Sequence, residues 1–268
     1  PENKTQELFI KTDGMSDGEI ILLSRLIKQL NKKSQKITLV IRKSLLALVQ
    51  CVDGVQNAIC SSTLKNKNLK NVDVTHLYAL PSFLGLKDGN LPKIMGYIKP
   101  NRERKRLWDP KIFKGNELKI GLSWIDSGLR TGPHQELKFN EYDPFLELNG
   151  ASFIGLTQTK NELQKGHLRD MDAADLSVSI RDKEDLLAAI DELDLIITGD
   201  TLTAHLAGAL NKPAIILLPL LPHWLWEYKT QTSSYYPSAV LLRQSKANSW
   251  RRPVMAAVDL LKNNYGLS

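Results

Sequence analysis

The sequence has little cysteine and no long apolar run. Its 268 residues include two cysteines, Cys51 and Cys60. Two cysteines supply neither a disulfide framework nor a complete set of metal ligands, so a reducing, cytoplasmic compartment is the expectation. A membrane-spanning helix needs about 20 consecutive apolar residues, and no such stretch is present. The first residues, PENKTQEL, also lack the basic and apolar regions of a secretory signal.

Two common metal-binding motifs are missing as well. The chain has no H-x-x-x-H and no C-x-x-C spacing. These spacings bring two ligands to one face of a helix or to one turn, which is how many zinc sites are built. We therefore predict no metal site and no cofactor.

The charge is positive but local. The net charge is +7, and the excess lies mainly in residues 65–70 and 101–106. Neither segment is interleaved with aromatic residues, as a single-strand nucleic-acid binder requires. The sequence therefore predicts no nucleic-acid partner and favours a small anionic ligand such as a nucleotide diphosphate. The same basic segments would also allow peripheral contact with the inner face of a membrane.

Apolar runs and helical periodicities alternate along the chain, which indicates an α/β fold with parallel sheets covered on both faces. The pattern weakens between residues 92 and 115 and then starts again. We therefore predict two doubly wound, Rossmann-like domains, 1–112 and 113–268, that face a cleft. Predicted strands are 8–11, 36–41, 55–59, 72–80, 119–124, 151–157, 193–198 and 214–218. Predicted helices begin at Glu19 or span 44–52, 140–148, 182–193, 201–210 and 253–263.

One strand–turn–helix unit carries the most chemical information. A buried strand ends at Thr198, and Thr201 is predicted to begin a helix after a Gly-Asp turn. The first amides of that helix, at Thr201, Leu202 and Thr203, would form an anion site with the positive end of the helix dipole. His205 follows one turn later on the same face and could reach the same anion. The alternative is structural, with Asp200 as an N-cap and His205 as a buried, hydrogen-bonded histidine.

The string DTLTAHLAGALNKPAIILLP, residues 200–219, resembles the signature of the heptosyltransferase-like glycosyltransferases of family 9, which have the GT-B fold. The similarity continues through PHWLW (222–226), SYYPS (234–238), LRQ (242–244) and SW (249–250), and GLSW (121–124) is similar to the strand that opens the second domain. The branch it looks closest to is often fused behind tetratricopeptide repeats, so such repeats could precede this chain. In that branch the second motif reads P-D-W-x-W, so His223 stands in place of an aspartate.

The resemblance implies an inverting, metal-independent enzyme. Such an enzyme transfers a sugar from a nucleotide-diphosphate sugar to a hydroxyl group of a glycan, lipid or protein acceptor. The family's general base is an acidic residue at the first strand-to-helix turn. Here that turn has one or two extra residues, so the acid aligns with Asp17 or Glu19, and we predict these as catalytic, with Asp17 ahead of Glu19. The alternative is structural: Ser16 or Asp17 caps the helix, and Glu19 is an acidic residue in the first turn, where the helix dipole favours negative charge.

The same resemblance implies the donor site. Asp200, Thr201, Leu202, Thr203 and His205 would hold the diphosphate. The segment from Trp124, with Asp126, Ser127 and Arg130, would face it from the other side. Gln158 and Glu162 would contact the nucleoside. A basic pair of the family is replaced by Gln135 and Glu136, which leaves Arg130 and Lys138 as substitutes. Because of these departures, a non-catalytic nucleotide-sugar or glycan-binding module with a degenerate GT-B fold is the rival interpretation.

Overall fold

A computed structural model describes residues 7–30, 36–64, 73–86, 91–106, 117–124, 137–157, 173–176 and 179–268, together with Trp108 and Leu168. It contains two separate parallel sheets, as the alternating pattern predicts. The first has four strands in the order β3-β2-β1-β4, and the second has six in the order β10-β9-β8-β5-β6-β7. The predicted boundary at residues 112 and 113 lies outside the described residues and stays a prediction.

The first half runs β1 (Glu7–Lys11), α1 (Asp17–Ser24), α2 (Ile27–Leu30), β2 (Lys36–Ile41), α3 (Leu46–Gln50), β3 (Asn57–Cys60), α4 (Ser61–Leu64), β4 (Asp73–His76), α5 (Leu80–Phe83) and α6 (Arg102–Arg106). The second half runs β5 (Leu118–Ser123), α7 (Asp143–Leu146), β6 (Ala151–Gly155), β7 (Ala174–Asp175), α8 (Lys183–Asp191), β8 (Leu195–Thr198), α9 (Leu202–Leu210), β9 (Ala214–Leu218), β10 (Ala239–Arg243) and α10 (Arg251–Tyr265). Short 3-10 helices occupy Lys43–Leu45, Leu77–Ala79, Phe139–Tyr142 and Trp224–Trp226.

Three predicted elements differ from the structure. The predicted strand 72–80 is shorter, because the chain leaves the sheet at His76, whose side chain caps the 3-10 helix that follows. The predicted helices 44–52 and 140–148 are each a 3-10 turn followed by a short α-helix. Apolar periodicity does not separate these two helix types over one or two turns.

The two halves share one hydrophobic core. Its largest cluster of buried side chains includes Leu39 of β2 and Ile20 of α1 together with Ile196 of β8 and Leu206 of α9. The two halves are thus joined by apolar packing and not only by polar contacts.

The basic segment 101–106 is partly used inside the protein. It forms α6, which packs against α8, and Arg104 Nη1 lies 2.7 Å from Asp185 Oδ1. Lys105 pairs with Asp191 and with Glu192, the latter at 3.0 Å. Two of its cations are thus neutralised by α8 and its C-terminal end, which weakens the prediction of a membrane or anion contact there. The second basic segment, 65–70, lies outside the described residues.

Two absences apply to the described part of the chain. None of its helices is long and apolar enough to cross a membrane. In the same residues, no group of three or more histidine, cysteine, aspartate or glutamate side chains is arranged to hold a metal ion.

Candidate active site

The start of α1 is a fully formed capping box. Ser16 is the N-cap, and its hydroxyl oxygen accepts a hydrogen bond from the Glu19 amide at 3.2 Å. Glu19 Oε2 accepts from the Ser16 amide at 2.8 Å and from the Ser16 hydroxyl at 2.9 Å. The structural alternative for this turn is therefore present: Ser16 caps the helix, and one oxygen of Glu19 completes the cap.

The other oxygen of Glu19 faces the second half. Its Oε1 lies 4.0 Å from His223 Nε2. Burial raises the pKa of Glu19, but hydrogen bonds from Tyr78 and Ser16 outweigh it and hold the pKa below its ordinary value. Burial and this carboxylate together raise the pKa of Tyr78 to about 12. Glu19 is therefore an ionised carboxylate at neutral pH, with one oxygen directed across the junction of the halves.

Asp17 has both carboxylate oxygens paired. Oδ1 lies 3.0 Å from Arg42 Nη1, and Oδ2 pairs with the Lys183 ammonium group on α8. The prediction put Asp17 ahead of Glu19 as the base. The structure instead pairs both oxygens of Asp17 with cations, and the ion pair with Lys183 ties the first half to the second.

The start of α9 lacks a side-chain cap. Thr201 is the N-cap rather than the first helical residue, and no side-chain hydrogen bond caps the helix. Its amide donates to the Gly199 carbonyl at 2.9 Å, so the prediction of a free amide at Thr201 is wrong. Within the described residues, the amides of Leu202 and Thr203 have no hydrogen-bond partner. These two donors remain available at the positive end of the helix dipole.

Asp200 is not the N-cap that the structural alternative supposed. Its carboxyl group is largely buried at the junction, and burial raises its pKa, an effect that Trp226 and His223 partly offset. Asp200 Oδ1 lies 3.9 Å from His205 Nε2. Asp200 could therefore lie beside a bound diphosphate only if another group balanced the negative charge of its carboxylate.

His205 is a buried histidine. It is 4 % exposed, its Nδ1 lies 3.1 Å from the Tyr236 hydroxyl, and its ring centroid is 5.0 Å from that of Trp226. Burial lowers its pKa to about 3, so the ring is neutral near pH 7. A charge-assisted contact with a diphosphate is therefore not available in this structure. Its place in the donor site stays a prediction that needs the ring to become accessible.

Gly18 of α1 packs directly against that ring. A Cβ atom at Gly18 would lie 2.3 Å from His205 Nε2. Only glycine allows this approach, which brings the N-terminal turns of α1 and α9 together.

Two predicted donor contacts point into the protein. The Trp124 side chain is 2 % exposed and packs against Phe139, with ring centroids 4.7 Å apart, so a donor contact at this position, which stays a prediction, would have to come from its backbone. The Thr203 hydroxyl donates to Ser123 Oγ at 3.1 Å and is buried, which leaves only its amide for a ligand. Both residues come soon after an apolar strand in the sequence, and their side chains are packed into the core. The predicted donor residues Asp126, Ser127, Arg130, Gln158 and Glu162 lie outside the described residues.

Sequence reasoning missed Tyr78 and His223. Tyr78 was placed within a strand, whereas the structure puts it in a 3-10 helix beside Glu19. His223 carried a signal, because it replaces an aspartate of the resemblance, yet its contact with Glu19 joins residues 204 positions apart. The residues next to Glu19 and next to His223 in the sequence do not indicate that these two side chains meet.

The comparisons with known proteins agree on the fold. No family profile matches the chain. It is similar to glycosyltransferase family 9 from Veillonella parvula, with a TM-score of 0.65 and 13 % identity over 97 % of this chain and 89 % of the other. It is also similar to E. coli ADP-heptose lps heptosyltransferase II, with a TM-score of 0.66 and 13 % identity over 97 % and 99 % of the two chains. The chain has the fold of the family 9 glycosyltransferases.

A third structural neighbour and one sequence relative complete the comparison. E. coli heptosyltransferase WaaC with ADP has a TM-score of 0.55 and 11 % identity, and the alignment covers 97 % of this chain and 98 % of that one. The sequence relative is Protein FlbA of Caulobacter vibrioides, 25 % identical over 187 residues. The match covers 66 % of this chain but only 30 % of FlbA, so FlbA is much longer than the matched region.

Proposed function

We propose that this chain transfers a sugar from a nucleotide-diphosphate sugar to an acceptor hydroxyl group, with inversion and without a metal ion. The observation that carries the proposal is the meeting of two helix starts in a family 9 fold. The start of α1 brings the ionised Glu19 to within 4.0 Å of His223, which neighbours Asp200 before α9. An acid-bearing turn and an anion-binding turn thus face the same junction.

The donor belongs at α9. The amides of Leu202 and Thr203, together with the helix dipole, can hold a diphosphate through hydrogen bonds. Charge that develops on the leaving diphosphate would be stabilised by these fixed donors without a metal ion. The three structural neighbours are named as glycosyltransferases or heptosyltransferases, and one was solved with ADP, which is the kind of ligand this turn suits.

The acceptor belongs near α1. Inversion by single displacement needs a base that removes the acceptor proton as the oxygen attacks the anomeric carbon from the side opposite the diphosphate. Between the two predicted acids, Glu19 has Oε1 facing His223 across the junction, where it can serve this step directly or through a neighbour. Asp17 has both oxygens held by cations.

The capping box favours a second candidate function. A carboxylate fixed by its own helix start, with a lowered pKa, is also what a non-catalytic protein would contain. In that case the chain binds a nucleotide sugar or a glycan through α9 and transfers nothing. The acceptor class, a cytoplasmic or membrane-associated location and any upstream repeats stay predictions under either function.

The test combines binding with turnover. Melting temperature and calorimetry with ADP-, UDP- and GDP-sugars should identify a donor by mass action. Transfer to glycan, lipid and protein acceptors is then measured for the wild type, Asp17→Asn and Glu19→Gln. We expect both variants to bind the donor normally and Glu19→Gln to lower the rate by about tenfold or more, and by as much as about 10⁴ if Glu19 itself removes the proton. Donor binding without any transfer by the wild type would support the binding module instead.

A further inference from the structure

His223 lies where the two helix starts meet. It is the N-cap of the 3-10 helix Trp224–Trp226, and its ring centroid lies 5.6 Å from that of the exposed Trp224. Its side chain is 41 % exposed, with Nε2 directed to Glu19. In the described residues, Nδ1 has no hydrogen-bond partner. The ring therefore has one nitrogen turned to a carboxylate and one available to a substrate.

Glu19 is better suited to orient a base than to be one. Oε2 is fully engaged by Ser16, and the lowered pKa makes the carboxylate a weaker proton acceptor than an ordinary glutamate. An imidazole, by contrast, exchanges protons near neutral pH, where a general base is most effective. A carboxylate beside one ring nitrogen fixes the tautomer and stabilises the charge that forms when the other nitrogen takes a proton.

We propose that His223 is the general base of the transfer and that Glu19 is its positioning residue. This rests on the proposed function. The acceptor hydroxyl gives its proton to His223 Nδ1 while its oxygen forms the new bond to the anomeric carbon. The bond between that carbon and the diphosphate breaks, and its electron pair leaves with the nucleotide diphosphate. The exposed imidazolium then releases the proton to water.

The surrounding charges are compatible with this step. Glu19 from α1 and Asp200 from the turn before α9 both face His223, and His205 on α9 is held neutral. Two carboxyl groups without a competing cation from His205 favour the imidazolium once it forms. The separation of 4.0 Å between Glu19 and His223 exceeds a hydrogen bond. A bridging water or a small shift on acceptor binding would close it, as is common for catalytic pairs in unliganded enzymes.

The chain offers a clean substitution for each partner. Glu19→Gln removes the charge but keeps the capping box, because glutamine serves at this position as well as glutamate. His223→Asn changes an exposed side chain that fills no core position. Glu103→Gln, on the exposed surface of α6, is the matched control for loss of one carboxylate, and it should keep the wild-type rate and pH profile.

The experiment is a double-mutant cycle on the transfer rate. His223→Asn should lower kcat by about 10²–10⁴ with unchanged donor affinity. Glu19→Gln should lower kcat by about tenfold or more. The double variant should be no slower than His223→Asn alone, because the two residues act as one unit.

The pH profile separates a base from a structural residue. With His223 as the base, the wild-type rate falls on the acid side as the base is protonated, and this acid limb is absent from the residual activity of His223→Asn. In Glu19→Gln the limb should remain, because His223 is still present as the base.

Different outcomes overturn different statements. If His223→Asn keeps its rate or its acid limb, the dyad is wrong while the transfer function stands. An acid limb in the carboxylate range that disappears in Glu19→Gln would make Glu19 itself the base. If the wild type transfers no sugar from any donor, both the proposed function and this proposal fail.

Discussion

The starts of α1 and α9 occupy equivalent positions in the two halves, but one helix start is capped by side chains and the other is not. Each follows the carboxyl end of a parallel strand at the centre of its sheet, and the two meet at the contact between Gly18 and His205. The start of α1 is closed by the capping box of Ser16 and Glu19. The start of α9 has no side-chain cap and leaves two amides available. The positive end of the α1 dipole thus stabilises acidic side chains of the protein itself, whereas that of α9 is available to an anionic ligand.

This difference divides the chemistry between the halves. A diphosphate would be repelled by Asp17 and Glu19 at α1 and attracted by the amides of Leu202 and Thr203 at α9. The carboxylates are held at the edge of the same junction, where an acceptor would have to approach. The comparison therefore predicts donor binding by the second half and acceptor activation between the halves. Three measurements on the two helix starts test this division.

The largest expected effect is the pH dependence of stability due to His205. Its pKa is about 3 in the folded protein, against an ordinary value of 6.5. The unfolded chain therefore binds a proton between these pH values while the folded protein does not. Stability from this group is fully present above pH 6.5 and is lost as the pH falls towards 3, by at most about 5 kcal/mol. Urea unfolding at a series of pH values measures it.

Glu19 provides the contrast at the other helix. Its lowered pKa means that its contribution is present above its ordinary value of 4.5 and is lost only below that pH. The decline between pH 6.5 and 4.5 should therefore flatten in His205→Gln and persist in Glu19→Gln. Equal slopes in wild type and His205→Gln over this window would show that the buried ring is not what the structure describes.

The second effect tests the contact between the helices. Gly18→Ala places a methyl group against the His205 ring, and we expect it to cost about 1–3 kcal/mol in the free energy of unfolding, as overpacking of a core does. In a His205→Ala background the clash is gone, so the same substitution should cost much less. Chemical denaturation of the four proteins measures the coupling. Equal costs in both backgrounds would mean that α1 and α9 do not touch in solution.

Much of this fold could be predicted from the sequence because central strands such as β8 and β9 are buried along their whole length. The runs at β8 and β9 are continuously apolar, and the glycine-containing turns before the helices mark the parallel units. The spacing of Ser16 and Glu19 is itself the signature of a capping box. The ion pair of Asp17 with Lys183 and the approach of His223 to Glu19 could not be predicted. Both contacts depend on how the two sheets pack against each other. The sequence around the four residues does not carry that information.

The smallest effect compares the two caps directly. Ser16→Ala removes a hydroxyl that accepts from the Glu19 amide and also donates to its carboxylate, and should destabilise the protein by about 1 kcal/mol. Thr201→Ala removes no cap bond, only a hydroxyl contact of 2.9 Å with Thr198, whose own hydroxyl still reaches the Gly199 carbonyl. It should cost about half as much or less. Urea midpoints at pH 7 distinguish these values, and calorimetry shows whether Thr201→Ala keeps donor affinity, as binding through the Leu202 and Thr203 amides requires. A larger loss of stability at Thr201 than at Ser16 would mean that α9 is the capped helix, and the division of labour between the two starts would be wrong.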